Sequence, residues 1–158
     1  LDARESAAGD DEGEQPLGER LKQQVLTDLK PGCGPLMGIY TGLMHTETAL
    51  NVFLPCDMPW IEGRLIVRLL KVFHGETKVV ACLHPADGIQ PFPLICHVKA
   101  CRAIGALLDR EESSLQALLR GPHAQLITIE EPDWWPSFTN VNTLSDYAKL
   151  HDETTLTH

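Results

Sequence analysis

Long apolar runs are absent from this chain, and so is any surplus of positive charge. The first absence excludes a membrane-spanning helix, and the N-terminus lacks the basic-then-apolar pattern of a secretory leader. A cytoplasmic protein with no membrane contact is the simplest expectation. The second absence argues against DNA or RNA as the main partner, because a nucleic-acid footprint is basic. Lys and Arg number 13 against 22 Asp and Glu, a net charge of −9. Residues 1–20 hold seven of those acids and only two bases. An acidic protein can still take anionic phosphates through backbone N–H groups and a bound cation.

A paired cysteine framework is also missing. Cys33, Cys56, Cys82, Cys96 and Cys101 are an odd, irregularly spaced set without a C-x-x-C pair. Such a set reads as reduced thiols. "CLH" at 82–84 and "CHVKAC" at 96–101 match no zinc spacing, so buried or incidental Cys and His are expected there. The chain opens on Leu1 and not on Met, which reads as a processed start or as part of a longer protein.

What is present, in 158 residues and 43% hydrophobic content, is one domain's worth of core. Residues 1–16 form an acidic head too polar to pack, 17–150 the domain, and 151–158 a polar tail. "LGERLKQQ" ends a helix, and "QVLTD" is a short strand candidate closing at Asp28. "LKPGCGP" is a loop, with Pro35 placed for the first turn of a helix that continues through "LMGIYTGLM". A buried strand at 50–54 runs into Asp57. "EGRLIVRLLKVF" has Leu65, Leu69 and Phe73 at helical spacing. "TKVVACL" is a strand, "HPADGIQP" a turn, and "FPLICHV" a strand whose Pro91 and Pro93 suggest an edge or a strand start. "KACRAIGALL" and "SSLQALL" are helices, the second with Ser113 and Gln116 as a capping box. "AQLITIE" is a strand, "EPDWWPS" a loop, and "TLSDYAKL" a helix that Thr143 and Asp146 would cap. This alternation predicts an α/β domain, a mostly parallel sheet covered by helices on both faces.

In such sheets the ligand lies beyond the carboxyl ends of the strands. Asp28 with its Gly/Pro loop, Asp57, and the "NVN" at 140–142 all fall at such ends. Asp57 could hold a hard divalent cation, or cap the next helix. Asn140 and Asn142, two apart, would point the same way in extended chain; they could read a heterocycle or phosphate, or cap a turn. Trp134 and Trp135 could stack on a base or simply pack the loop.

In this order the motifs resemble the molybdenum cofactor guanylyltransferase family of nucleotidyltransferases. "DLKPGCGPLMGIYTGL" (28–43), "FLPCDMPW" (53–60) and "FTNVNTLSDYAKL" (138–150) carry the likeness. "GIQPFPLI" (88–95) matches a weaker position, where a Gln/His-Pro pair precedes a strand. The resemblance covers roughly residues 24–150 and implies a Rossmann-like three-layer sandwich of the glycosyltransferase-A-like kind. It implies that Asp57 binds Mg²⁺ beside a nucleotide triphosphate and is the catalytic carboxylate. It implies that Asp28 contacts GTP, that Gly34, Pro35 and Leu36 approach the nucleotide, and that Gln90, Asn140 and Asn142 lie near the pterin. The implied reaction is attack by the terminal phosphate of the molybdopterin cofactor on the α-phosphate of GTP, releasing pyrophosphate. Molybdoenzymes or their chaperones are further candidate partners. CTP in place of GTP is a close variant, against which Cys56 leans.

The family also opens with a strand and a Gly-rich, Arg/Lys-containing loop that cradles the triphosphate. Nothing in "LDARESAAGDDEGEQPLGER" matches it. The first strand and loop of the family are therefore expected to be missing here, which puts the chain's own activity in question. The alternative reading is a non-catalytic or truncated relative acting as a cofactor- or protein-binding module.

Overall fold

The computed structural model describes residues 25–74, 78–143 and 146. The acidic head, the helix end read at 17–24, most of the helix after Thr143 and the polar tail lie outside the described residues. Helix α1 spans Gly34–His45, strand β1 Leu50–Phe53 and helix α2 Gly63–Lys71. Strand β2 spans Val79–His84 and β3 Gly88–His97. A 3-10 turn at Val98–Ala100 leads into α3, Cys101–Leu108. Helix α4 is Leu115–Leu119, β4 is Ala124–Thr128, and a second 3-10 segment covers Pro132–Phe138.

The four strands form one sheet in the order β1-β3-β2-β4. β3 is antiparallel to both β1 and β2, and β2 is parallel to β4. Three strands, β1, β2 and β4, therefore share a direction, as expected of a mostly parallel sheet, and β3 runs against them. The reversal follows from the chain: three residues, 85–87, join His84 to its partner Gly88, too few for a crossover.

Two faces alternate along the strands, as the period of two requires. Val79, Ala81, Leu94 and Cys96 face α1, α3 and α4, meeting Leu36, Ile39, Leu43, Ile104 and Leu118. Val80, Cys82 and Ile95 face the other way, onto Leu65 and Leu69 of α2 and onto Ile129. Three layers result. Cys82 and Cys96 sit in this sandwich fully buried, and burial pushes both thiols up to about 12. Helix α1 approaches β1 closely because residue 42 is glycine: a Cβ there would stand 2.9 Å from Cε1 of Phe53.

Four sequence expectations are corrected. Residues 25–28 form no strand; Val25 is 83% exposed, with no ladder partner among the described residues. The strand at 50–54 is not buried, since it lies at the edge of the sheet with Val52 40% and Leu54 54% exposed. Pro91 and Pro93 lie inside β3 and not at its start, but the ladder with β1 reaches only from Leu94 to His97, so on that side they stand on an open edge. On the other side they fall where the pairing with β2 slips between Val80↔Ile95 and Cys82↔Gln90, a bulge that needs no N–H there. The cap of α4 is Ser114, not Ser113: the Ser114 hydroxyl accepts from the Gln116 N–H at 3.1 Å. The cap at Thr143 forms as expected. Asp146 N–H donates to the Thr143 hydroxyl at 3.1 Å, and the Asp146 carboxylate accepts from Thr143 N–H at 3.0 Å.

Candidate functional site

At the carboxyl ends of β1 and β4, next to the β2–β3 turn, lies a cavity of about 400 Å³. Asp57, Gln90, Asn140 and Pro35 line it, from four stretches far apart in the chain. Each arrives by a different element. Asp57 sits in the loop after β1, Gln90 near the start of β3, Pro35 in the first turn of α1, and Asn140 after the 3-10 segment 132–138.

Two hydrogen bonds onto backbone carbonyls hold the acid's loop against the asparagine's segment. Val141 N–H donates to the Asp57 carbonyl at 2.7 Å, and the buried Ser137 hydroxyl donates to the Trp60 carbonyl at 3.1 Å. The 132–138 segment is in turn seated on the protein by its tryptophans. Trp134 lies under the guanidinium groups of Arg64 and Arg68, 5.5 and 4.9 Å from the ring centroid. Trp135 donates its indole N–H to the Ile129 carbonyl at 3.2 Å. The two tryptophans are thus engaged as loop packing.

The cavity's chemistry is one acid, amides and apolar walls. The Asp57 carboxylate has no hydrogen-bond or ion-pair partner among the described residues, and no Lys or Arg lines the cavity. Phe92, Phe138 and Met58 supply flat or soft apolar surface. Leu115 and Gln116, at the start of α4, complete the wall; the sequence reading missed them, although the Ser-x-x-Gln cap signal pointed to a helix start there. Among the described residues no three His, Cys, Asp or Glu gather as a metal cluster. One unpaired carboxylate does fit Mg²⁺, which takes one or two carboxylates and completes its shell with water and phosphate oxygens.

The remaining expected residues stand apart from this cavity. Asn142 is exposed and its N–H turns to the Asp146 carboxylate at 3.3 Å. Gly34 is exposed, with the φ of +69° that only glycine adopts freely, and it lets Pro35 start the helix where it does. Leu36 is fully buried in the core, so its side chain faces helix and sheet, and only its backbone is placed to approach a nucleotide. Asp28 lies on the exposed stretch before α1, 3.5 Å from where a Cβ on Gly38 would stand. Next to it, Leu29 N–H donates to the buried Thr41 hydroxyl at 3.2 Å.

An open α/β sheet with a ligand cavity beyond its strand ends is the class of protein that this fold and site define. Solved structures agree on the fold. Molybdopterin-guanine dinucleotide biosynthesis protein A from Archaeoglobus fulgidus superposes with a TM-score of 0.70 at 19% identity, over 88% of this chain and 72% of its own. A protein of Aquifex aeolicus VF5 gives 0.67 at 18% identity, over 79% and 65%. The MobA-like NTP transferase domain matches residues 6–127, and the chain belongs to that family of nucleotidyltransferases. The match begins inside the acidic head and ends before Asn140 and Asn142.

Among curated relatives, the "Probable molybdenum cofactor guanylyltransferase" of Geobacillus sp. (strain WCH70) is 33% identical over 122 residues, 75% of this chain and 61% of the relative. The molybdenum cofactor guanylyltransferase of Vibrio vulnificus (strain YJ016) is 32% identical over 118 residues, 74% and 58%. The chain spans about three fifths of the length of these two relatives. Among the described residues no helix is long and apolar enough to cross a membrane.

Proposed function

We propose that this chain acts as a Mg²⁺-dependent guanylyltransferase on the molybdenum cofactor, moving GMP from GTP to the terminal phosphate of molybdopterin with release of pyrophosphate. The observation that carries the reading is the gathering of Asp57, Gln90, Asn140 and Pro35 around one cavity. These residues come from each of the separate stretches that resemble the family.

Each lining group has a part. Asp57 is the carboxylate that would hold Mg²⁺, and the bound ion would supply charge neutralisation at the phosphates. The Gln90 and Asn140 side-chain amides, each both donor and acceptor, suit the edge of a pterin. Phe92 and Phe138 offer apolar faces for its ring. Gly34 and Pro35 place backbone, without a bulky side chain, near a nucleotide. Asp28 and Asn142 would join only as the ligand reaches past the cavity. Catalysis of this kind rests on positioning and on electrostatics in a water-poor cleft.

One observation favours the second reading, a binding module without transfer: no basic side chain lines the cavity to meet a triphosphate. A thermal-shift titration separates the two, with Mg-GTP, Mg-CTP and Mg-ATP on the full chain and on Asp57→Asn. Ligand at a hundred times its Kd adds about 2.7 kcal/mol. A GTP-selective shift lost in Asp57→Asn, together with label passing from α-labelled GTP to molybdopterin, is the expected result. Molybdopterin binding with no nucleotide shift and no transfer would establish the binding module instead.

A further inference from the structure

His84 is buried at the last position of β2, 7% exposed, and has no place in the chemistry above. Its ring nevertheless touches both segments that bring amides to the cavity. On one side Nδ1 accepts from the N–H groups of Ala86 and Asp87, at 3.3 and 3.1 Å. Those bonds close the turn from which β3 sets out, and Gln90 lies two residues past Gly88, the partner of His84. On the other side the imidazole meets Trp135 edge-on, centroids 4.8 Å apart, and Phe138 at 6.1 Å. Phe138 lines the cavity itself, and three residues later Val141 bonds to the Asp57 carbonyl.

Two amide donors within reach of Nδ1 call for its lone pair, which the tautomer protonated on Nε2 supplies. The Asp87 carboxylate, 3.0 Å from Nδ1 and 71% exposed, would pair with it only if that nitrogen were protonated. Neither asparagine nor phenylalanine reproduces the combination. Asparagine can offer the acceptor without the ring, and phenylalanine the ring without the acceptor.

We propose that His84 is a positioning residue, a rivet that ties the Gln90 hairpin to the Phe138–Val141 segment and so sets the width of the cavity. The functional meaning of that width rests on the reading of the cavity given above, but the tie itself is testable without any ligand. In the full ¹⁵N-labelled chain, hydrogen exchange at Val141 N–H reports the far segment, and the Gln90 amide shifts report the hairpin. His84→Asn and His84→Phe are compared with Leu118→Ala, a core truncation against the opposite face of the sheet, at matched melting temperature.

Both His84 variants are expected to speed Val141 exchange by about tenfold beyond the Leu118→Ala control, and to shift Gln90, since each breaks one side of the tie. Val141 protection that falls only in step with the control would overturn the proposal. If neither His84 variant folds, the wild-type ring decides: ¹⁵N shifts placing the proton on Nε2 uphold the tie, and a proton on Nδ1 overturns it. Failure of wild type to bind Mg-GTP would count against the proposed function and leave these exchange results standing.

Discussion

Asp57 and Asp28 look alike in the sequence, each an acid at the end of an apolar stretch and ahead of a proline-bearing loop. The fold treats them differently. Asp57 lines a cavity, in a loop bonded through Val141 and Ser137 to a second segment that brings Asn140 to the same wall. Asp28 lies on an exposed stretch anchored next door by the Leu29–Thr41 bond, beside Val25 at 83% exposure and outside the cavity. Asp57 and Pro35 of the expected nucleotide side and Gln90 and Asn140 of the expected pterin side are therefore brought to one cavity within the described residues. Asp28, Gly34 and Leu36 of the expected nucleotide side, and Asn142 of the expected pterin side, are not. A motif specifies which chemistry a residue could do, whereas contacts from a second segment decide whether it is held where that chemistry can happen.

The sharpest break between the halves concerns Leu36. Because its side chain belongs to the core, Leu36→Ala should cost about 2–5 kcal/mol of stability in urea unfolding. A leucine whose side chain reached out to the nucleotide would cost much less. A second effect tests the sheet on which both halves stand. Below pH 9 the thiols of Cys82 and Cys96 are protonated whether the chain is folded or not. Between 9 and about 12 the unfolded chain ionises them and the folded one does not, so stability must fall as pH rises. Each thiol should contribute about 1 kcal/mol of loss per pH unit in that window. Urea unfolding from pH 8 to 10.5 measures it, and Cys82→Ala should flatten the slope.

Ser137→Ala removes a buried donor to the Trp60 carbonyl, at an expected cost of about 1–2 kcal/mol in the same assay. It should also loosen the segment leading to Asn140. Smallest of all is the stability change in Asp57→Asn, within about 0.5 kcal/mol, because the carboxylate has no partner among the described residues. A marked destabilisation there would mean that Asp57 is a structural cap, the bland alternative that its sequence left open.

Much of this was readable in the chain because it rests on local rules. Helix α2 follows from Leu65 and Leu69 at helical spacing, the Thr143–Asp146 cap from residue type three apart, and Pro35 from its tolerance of a first turn. The ordered short strings led to Asp57, Gln90 and Asn140. What escaped was long-range. Nothing local says that β3 is inserted between β1 and β2, or that its prolines fall at a slip in the β2 pairing. Nothing local says that residues 25–28 lack a ladder partner among the described residues, or that Leu115, Gln116 and Phe92 share a wall with Asp57. Ser113 and Ser114 are equally good caps by type, and only the turn geometry chose between them.

The most direct test of the account compares its two halves in one spectrum. Mn²⁺, a paramagnetic stand-in for Mg²⁺, would be added to the ¹⁵N-labelled chain with and without GTP, in wild type and in Asp57→Asn. GTP-dependent broadening centred on Asp57, Gln90 and Val141, weak at Val25–Leu29 and abolished in the variant, is the predicted result. Broadening centred on Asp28, or a pattern at Asp57 that is unchanged by GTP and by the substitution, would contradict it.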